Sequence, residues 1–138
     1  MKKETLPEFM VIDDDPVNNL ICHTIIQLTI SEAVVQTFTD PEKGLDYIQS
    51  VYDGSDPKKA VLFLDINMPS ISGWDVLDKL KSFPEAVKEQ VTVYMLSSSV
   101  DPNDKEKAGN DNLVTGYIAK ALSQVKLLEL FPDHVKSA

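Results

Sequence analysis

The chain has 138 residues, 43% of them apolar and 25% charged, with a formal net charge of −9 and a pI near 4.5. That length suits one domain with a sizeable core, and the acidic balance excludes the basic face that nucleic acid or an anionic lipid surface requires. The N-terminal stretch MKKETLPE lacks an apolar signal core, and the single cysteine, Cys22, cannot form an internal disulfide. No run reaches the ~18 apolar residues of a membrane helix. A cytoplasmic protein is expected, with Cys22 as a packing residue.

Phe9–Ile12 predicts a first strand, and Asp13, Asp14 and Asp15 follow it. Asp15 suits a helix N-cap and Pro16 the first helical turn. Val17, Leu20, Ile21, Ile25 and Leu28 then recur at helical spacing and predict the buried stripe of a first helix. Val34–Phe38 reads as a second strand, and Asp40–Pro41 opens a helix buried through Leu45, Ile48 and Val51. Asp53–Lys59 has the turn chemistry of a solvated loop.

Val61–Leu64 is an uninterrupted apolar run, as expected of a strand covered on both faces, and it ends abruptly at Asp65. Asn67, Met68 and Pro69 turn the chain, and Ser72–Gly73 opens a third helix that packs through Trp74, Val76, Leu77 and Leu80 and stops near Phe83–Pro84. Val91–Leu96 is the fourth strand and runs into Ser97, Ser98 and Ser99. The helix that begins at Asp101–Pro102 has Ala108 as its only apolar side chain over Asn103–Asn110, so it should be weakly held and mobile. Leu113–Ala119 forms a fifth strand ending at Lys120, and a last helix follows with Val125, Leu128 and Phe131 expected inward.

Strand and helix alternate five times, which implies an α/β fold with a parallel sheet covered by helices on both faces. In such a sheet all strand C-termini share one edge, and ligands bind there. Asp13, Asp14, Asp65, Ser97 and Lys120 each follow a strand and therefore converge. Packing does not require this. Two carboxylates 4 Å apart repel by about 4 kcal/mol at an effective dielectric of 20. Lys120 offsets part of that cost, and a hard divalent cation with oxygen ligands, Mg2+ above all, offsets more.

Four features carry a resemblance to the receiver domain of two-component response regulators: Asp13–Asp14 after the first strand, Asp65-x-x-Met68-Pro69 with Gly73 after the third, Ser97 after the fourth, and Tyr117-x-x-Lys120 closing the fifth. The resemblance covers about residues 8–131 of a single receiver domain, 1–138. It implies the flavodoxin-like (βα)5 fold with strand order 2-1-3-4-5. It also implies that Asp65 is the phosphoacceptor, taking a phosphoryl group from a sensor histidine kinase or histidine phosphotransfer protein. Asp14 and Asp65 would bind Mg2+ together with the Asn67 backbone carbonyl, and Asp13 would help through water. Lys120 would neutralise phosphoryl oxygens, Ser97 would be the switch hydroxyl, and Tyr117 would turn from an outward to an inward rotamer. Catalysis would be confined to self-phosphorylation and slow self-dephosphorylation. A stand-alone receiver would pass its output to an unidentified protein target through the helix after the fourth strand, the fifth strand and the last helix, with no nucleic-acid or membrane contact.

One position departs from the family pattern. Ala121 stands where the family usually has a cis proline, and a cis bond before another residue costs ~3–4 kcal/mol, so Lys120–Ala121 is expected trans unless the site forces it. Asn67 and Ser99 flank the site and are expected to tune hydrolysis. Asp15 is sufficiently explained as an N-cap, and His23 and His134 as surface or packing residues. Two rival readings use the same residues. Asp13-x-Asp15-x-Val17 fits the first motif of a haloacid-dehalogenase-type phosphatase, with Asp13 as nucleophile. A pseudo-receiver would keep the fold as a protein-binding module without phosphorylation.

Overall fold

The computed structural model describes residues 6–55, 57–69, 71–98 and 101–133. In chain order the elements are β1 (Glu8–Ile12), α1 (Pro16–Thr29), β2 (Val35–Phe38), α2 (Pro41–Val51), β3 (Ala60–Asp65), α3 (Gly73–Lys81), α4 (Glu85–Gln90), β4 (Val91–Ser97), α5 (Pro102–Gly109), β5 (Val114–Ala119) and α6 (Gln124–Leu130). The strands form one parallel sheet in the order β2-β1-β3-β4-β5. This is the flavodoxin-like arrangement, and β3 lies at its centre with every residue buried.

Side chains alternate across the sheet and feed a core on each face. On one face Met10, Ile12, Leu62, Leu64, Val93 and Met95 pack with Leu45 and Ile48 of α2 and Val76, Leu77 and Leu80 of α3. On the other, Phe9, Val11, Phe63, Leu96 and Ile118 pack with Cys22 and Ile26 of α1 and Leu127 of α6. Four helices start where their capping signals place them. Asp15, Asp40 and Asp101 each accept a backbone N–H of the first turn just before a proline, and Ser72 forms a reciprocal capping box with Asp75.

Three expectations are corrected. In α1 the expected stripe faces outward: Val17, Leu20 and Leu28 are 62–67% exposed. Asn18, Asn19, Cys22, Ile26 and Thr29 are buried instead. Both faces carry apolar residues at helical spacing, so hydrophobicity alone does not choose between them. The inward face is the one whose asparagines supply donors to Asp13. In α6, Val125 and Leu128 are likewise exposed, and Leu127 is the buried anchor. Phe131 does face in, edge-on to Phe9 and Tyr94. Finally, the chain does not run straight from Pro84 into β4. It forms the six-residue α4, which buries Val87 and Gln90. The Gln90 side chain accepts from Gly54 N–H (2.9 Å) and donates to the Lys58 carbonyl (2.6 Å), fastening the loop before β3.

Candidate functional site

The C-terminal edge of the sheet is shaped by tight turns. Where β3 ends, the chain folds back so that Gly73 N–H donates to the Ile66 carbonyl at 2.8 Å. A Cβ at Gly73 would lie 2.3 Å from the Asp65 carbonyl oxygen, so a glycine is required for this close approach. Met68 tucks into the core, while Asn67 and Pro69 face solvent. The Asn67 backbone N–H bonds to the Asp65 carboxylate.

Asp13, Asp14 and Asp65 each place a carboxylate oxygen within 4.8 Å of the other two. Asp13 and Asp65 are buried, and Asp14 is half-buried. The Lys120 ammonium bridges the first two, 2.8 Å from Asp13 Oδ2 and 3.0 Å from Asp65 Oδ1. Asp65 Oδ1 accepts no well-aligned hydrogen bond despite that ion pair, and it is shut away from solvent. Burial pushes the Asp65 carboxyl above its ordinary value; the nearby Lys120 pulls it down and the Asp13 charge adds to the rise. Burial works against the Lys120 ammonium, but the two carboxylates outweigh it and hold its pKa above the usual lysine value.

An all-oxygen acidic cluster with a buried, incompletely satisfied carboxylate oxygen fits a hard divalent cation such as Mg2+. Asp15 stands apart as the exposed N-cap, accepting from Val17 N–H at 2.9 Å.

Ser97 is buried at the end of β4, and its carbonyl accepts the Lys120 N–H at 2.8 Å. Tyr117, opposite Met95 in the β4–β5 register, is half-buried against the α2–α3 core. The Lys120–Ala121 peptide is cis, against the expectation of a trans bond. The expectation excepted a bond forced by the site, and here the chain is held on both sides of it, by the Lys120–Ser97 hydrogen bond and by buried Leu122. Ser99 and His134 lie outside the described residues. Cys22 is fully buried, and burial, with the Asp13 charge, pushes its thiol up to about 11.

Sequence reasoning missed two residues near this edge, Asn18 and Asn19, and the contacts of a third, Trp74. Asn18 donates to Asp13 Oδ2 at 2.6 Å, and Asn19 donates to the Asp13 carbonyl at 3.0 Å. The available signal was a pair of adjacent amides in the first turns of a helix that directly follows the acidic loop. Trp74 links the start of α3 to α5: its indole N–H donates to Asp104 Oδ1 at 3.1 Å, and the Lys107 ammonium lies 4.6 Å from the ring centroid.

The model of the family described as "Response regulator receiver domain" matches residues 9–131. The chain belongs to this family. Receiver domains are signalling modules rather than conventional enzymes, and membership sets the phosphatase reading aside. A two-component response regulator from Cytophaga hutchinsonii is similar in structure, with a TM-score of 0.80 and 30% identity over 94% of this chain and 96% of that one. A response regulator receiver protein from Dyadobacter fermentans gives a TM-score of 0.82 at 25% identity, covering 91% and 95%. Among curated proteins, the nitrate/nitrite response regulator protein NarL of Escherichia coli (strain K12) is 26% identical over 130 residues. That match takes in 94% of this chain and 55% of NarL, so the chain spans about half of that relative. Among the described residues, no helix is long and apolar enough to cross a membrane.

Proposed function

We propose that this receiver accepts a phosphoryl group on Asp65 from a phosphohistidine of a kinase or phosphotransfer protein, in a Mg2+-dependent reaction, and signals through protein contacts. The observation that carries this reading is the buried Asp65 carboxylate, with Oδ1 incompletely satisfied and a lysine ammonium 3.0 Å away. Asp14, Asp65 and the Asn67 carbonyl would hold the cation, with Asp13 behind them through water. Bound Mg2+ would neutralise phosphoryl oxygens. An Asp65 oxygen forms the new O–P bond in line as the N–P bond of the phosphohistidine breaks and the imidazole leaves. Phosphoryl transfer asks a protein mainly for positioning and charge neutralisation. Lys120 supplies the second by moving its ammonium from Asp13 to the phosphoryl group. Slow self-dephosphorylation is the attack of water on the same phosphorus.

Ser97 would donate its hydroxyl to a phosphoryl oxygen and draw the β4–α5 loop inward, and Tyr117 would respond by turning further in. The response would then reach the α5–β5–α6 face, where α5 buries little beyond Ala108. The exposed Val17, Leu20 and Ile21 of α1 begin beside the acidic cluster. They suit the histidine-bearing partner, which must present its imidazole at that mouth.

The test is a titration with Mg2+ and beryllofluoride, an acyl-phosphate mimic, followed by Trp74 fluorescence with Asp65→Asn as control. A saturable, Mg2+-dependent change that is lost in the mutant is expected. No change, together with no mass increase on treatment with acetyl phosphate, would overturn this reading in favour of a receiver-fold binding module that is not phosphorylated.

A further inference from the structure

Asp13 is the most enclosed carboxylate of the cluster, 1% exposed, and both of its oxygens are engaged. Oδ1 accepts the Asp15 N–H at 2.9 Å. Oδ2 accepts from Asn18 Nδ2 at 2.6 Å and from Lys120 Nζ at 2.8 Å. These donors differ in kind. If Lys120 serves the phosphoryl group, its bond to Asp13 is exchangeable. The Asn18 amide has a short stem on the first turns of a capped helix, is itself buried, and carries no charge to be drawn elsewhere. It alone stays on Oδ2 when the ammonium moves.

A blander account makes Asn18 an ordinary buried polar residue with a satisfied hydrogen bond. The composition of α1 weighs against it. Burying an amide costs free energy unless a specific partner repays it, and an apolar residue packs better. This helix places Leu20, Ile21 and Leu28 outside and two asparagines inside. Both inward amides reach Asp13, Asn18 its side chain and Asn19 its carbonyl, and Asn18 makes a longer second contact of 3.7 Å to Cys22 Sγ.

We propose that Asn18 is a positioning residue for the metal site: it fixes the Asp13 carboxylate, so that the acidic cluster keeps its geometry when Lys120 transfers to the phosphoryl group. This rests on the receiver reading above and adds a residue to it. Outer partners of direct metal ligands govern affinity by about 10–100-fold, and Asp13, reaching the cation through water, puts Asn18 at the low end of that range.

The experiment titrates Mg2+ alone, with no phosphodonor, into the wild type, Asn18→Leu, Asp13→Asn and the double variant, following Trp74 fluorescence and amide NMR shifts. Asn18→Leu keeps the side-chain size and removes the donor; Asn18→Ala is carried in parallel in case the leucine disturbs folding. Either Asn18 substitution is expected to weaken Mg2+ binding about tenfold. Added to Asp13→Asn, it should change the affinity less than twofold, because a residue acting through the Asp13 carboxylate charge has no charge left to position. A general loosening of α1 would instead weaken binding equally in both backgrounds, and that result overturns the proposal. Wild-type Mg2+ affinity in both Asn18 variants overturns it too, leaving the receiver reading intact. A wild-type protein that does not respond to Mg2+ overturns both.

Discussion

Replacing Asp65 by asparagine should stabilise the ion-free protein. Each carboxylate pair in the cluster is no more than 4.8 Å apart. At an effective dielectric of 20 the repulsion is about 3.5 kcal/mol per pair. The Lys120 ammonium at 3.0 Å returns about 5.5 kcal/mol to Asp65 on the same scale. Asparagine at this position relieves two repulsions and gives up one attraction, a net gain of about 1–2 kcal/mol to which relief of desolvation adds. For a chain of this size that corresponds to a rise in Tm of about 3–6 °C.

The pH dependence carries a definite sign. Burial raises the Asp65 pKa, so the native state holds this proton more tightly than the unfolded chain does. The wild type therefore loses stability as pH rises from the unfolded carboxylate value, about 3.9, through the higher folded value, and the loss persists above it. Asp65→Asn has no such loss. Its advantage should be full at pH 7–8 and shrink toward zero below about pH 4. Thermal melts of both proteins in chelator across pH 4–8 test this. Mg2+ should then stabilise the wild type by mass action and close the gap. A less stable Asp65→Asn at pH 7.5 in chelator, or a difference that ignores pH, would refute the reasoning.

Asp14→Ala should weaken Mg2+ binding well beyond Asp15→Ala in a direct titration, because the Asp15 carboxylate is spent on capping α1. Lys120→Ala leaves Asp13 and Asp65 buried without their cation and should cost about 3–5 kcal/mol in chelator, partly restored by Mg2+, while the beryllofluoride response is lost; melts and Trp74 fluorescence read the two effects. Gly73→Ala should destabilise by at least about 2 kcal/mol, since its Cβ would fall 2.3 Å from the Asp65 carbonyl, and denaturant unfolding measures it. Trp74→Phe removes the indole donor to Asp104, and amide hydrogen exchange across residues 102–109 should accelerate.

The fold was legible where local chemistry and periodicity agree. The apolar run ending at Asp65 is the central strand, and three Asp-Pro pairs mark three helix starts. The acids converge because a parallel sheet sends every strand C-terminus to one edge. Rotation about a helix axis is a different matter. In α1, Val17, Leu20, Ile21 and Leu28 offer one apolar face, and Cys22, Ile26 and Ile30 offer another. The buried face is the one whose Asn18 and Asn19 donate to Asp13, which lies in the loop before the helix and outside its periodicity. The α4 turn was hidden for a similar reason: its anchoring partners, Gly54 and Lys58, are more than thirty residues away. The cis bond before Ala121 lies between a tertiary hydrogen bond of Lys120 to Ser97 and buried Leu122, neither of which local preference reports.

The site's charge balance links its parts. Three carboxylates and one ammonium leave two negative charges uncompensated at the sheet edge, the charge of one divalent cation. Until such a cation binds, Lys120 is shared between Asp13 and Asp65 and is the only cation within ion-pair distance of either among the described residues. A bound cation would relieve the carboxylates of their dependence on the lysine and leave its ammonium available to a new anion. Phosphorylating Asp65 replaces one carboxylate charge by about two on the phosphoryl group. On the proposed reading, that added negative charge would be the force that draws in the Lys120 ammonium and the Ser97 hydroxyl. Both sit on β-strand ends that lead directly into α5 and α6. A cation that frees Lys120 and an anion that captures it would thus act in sequence on one side chain, and the Asn18 amide proposed to fix Asp13 would let it release the lysine without turning.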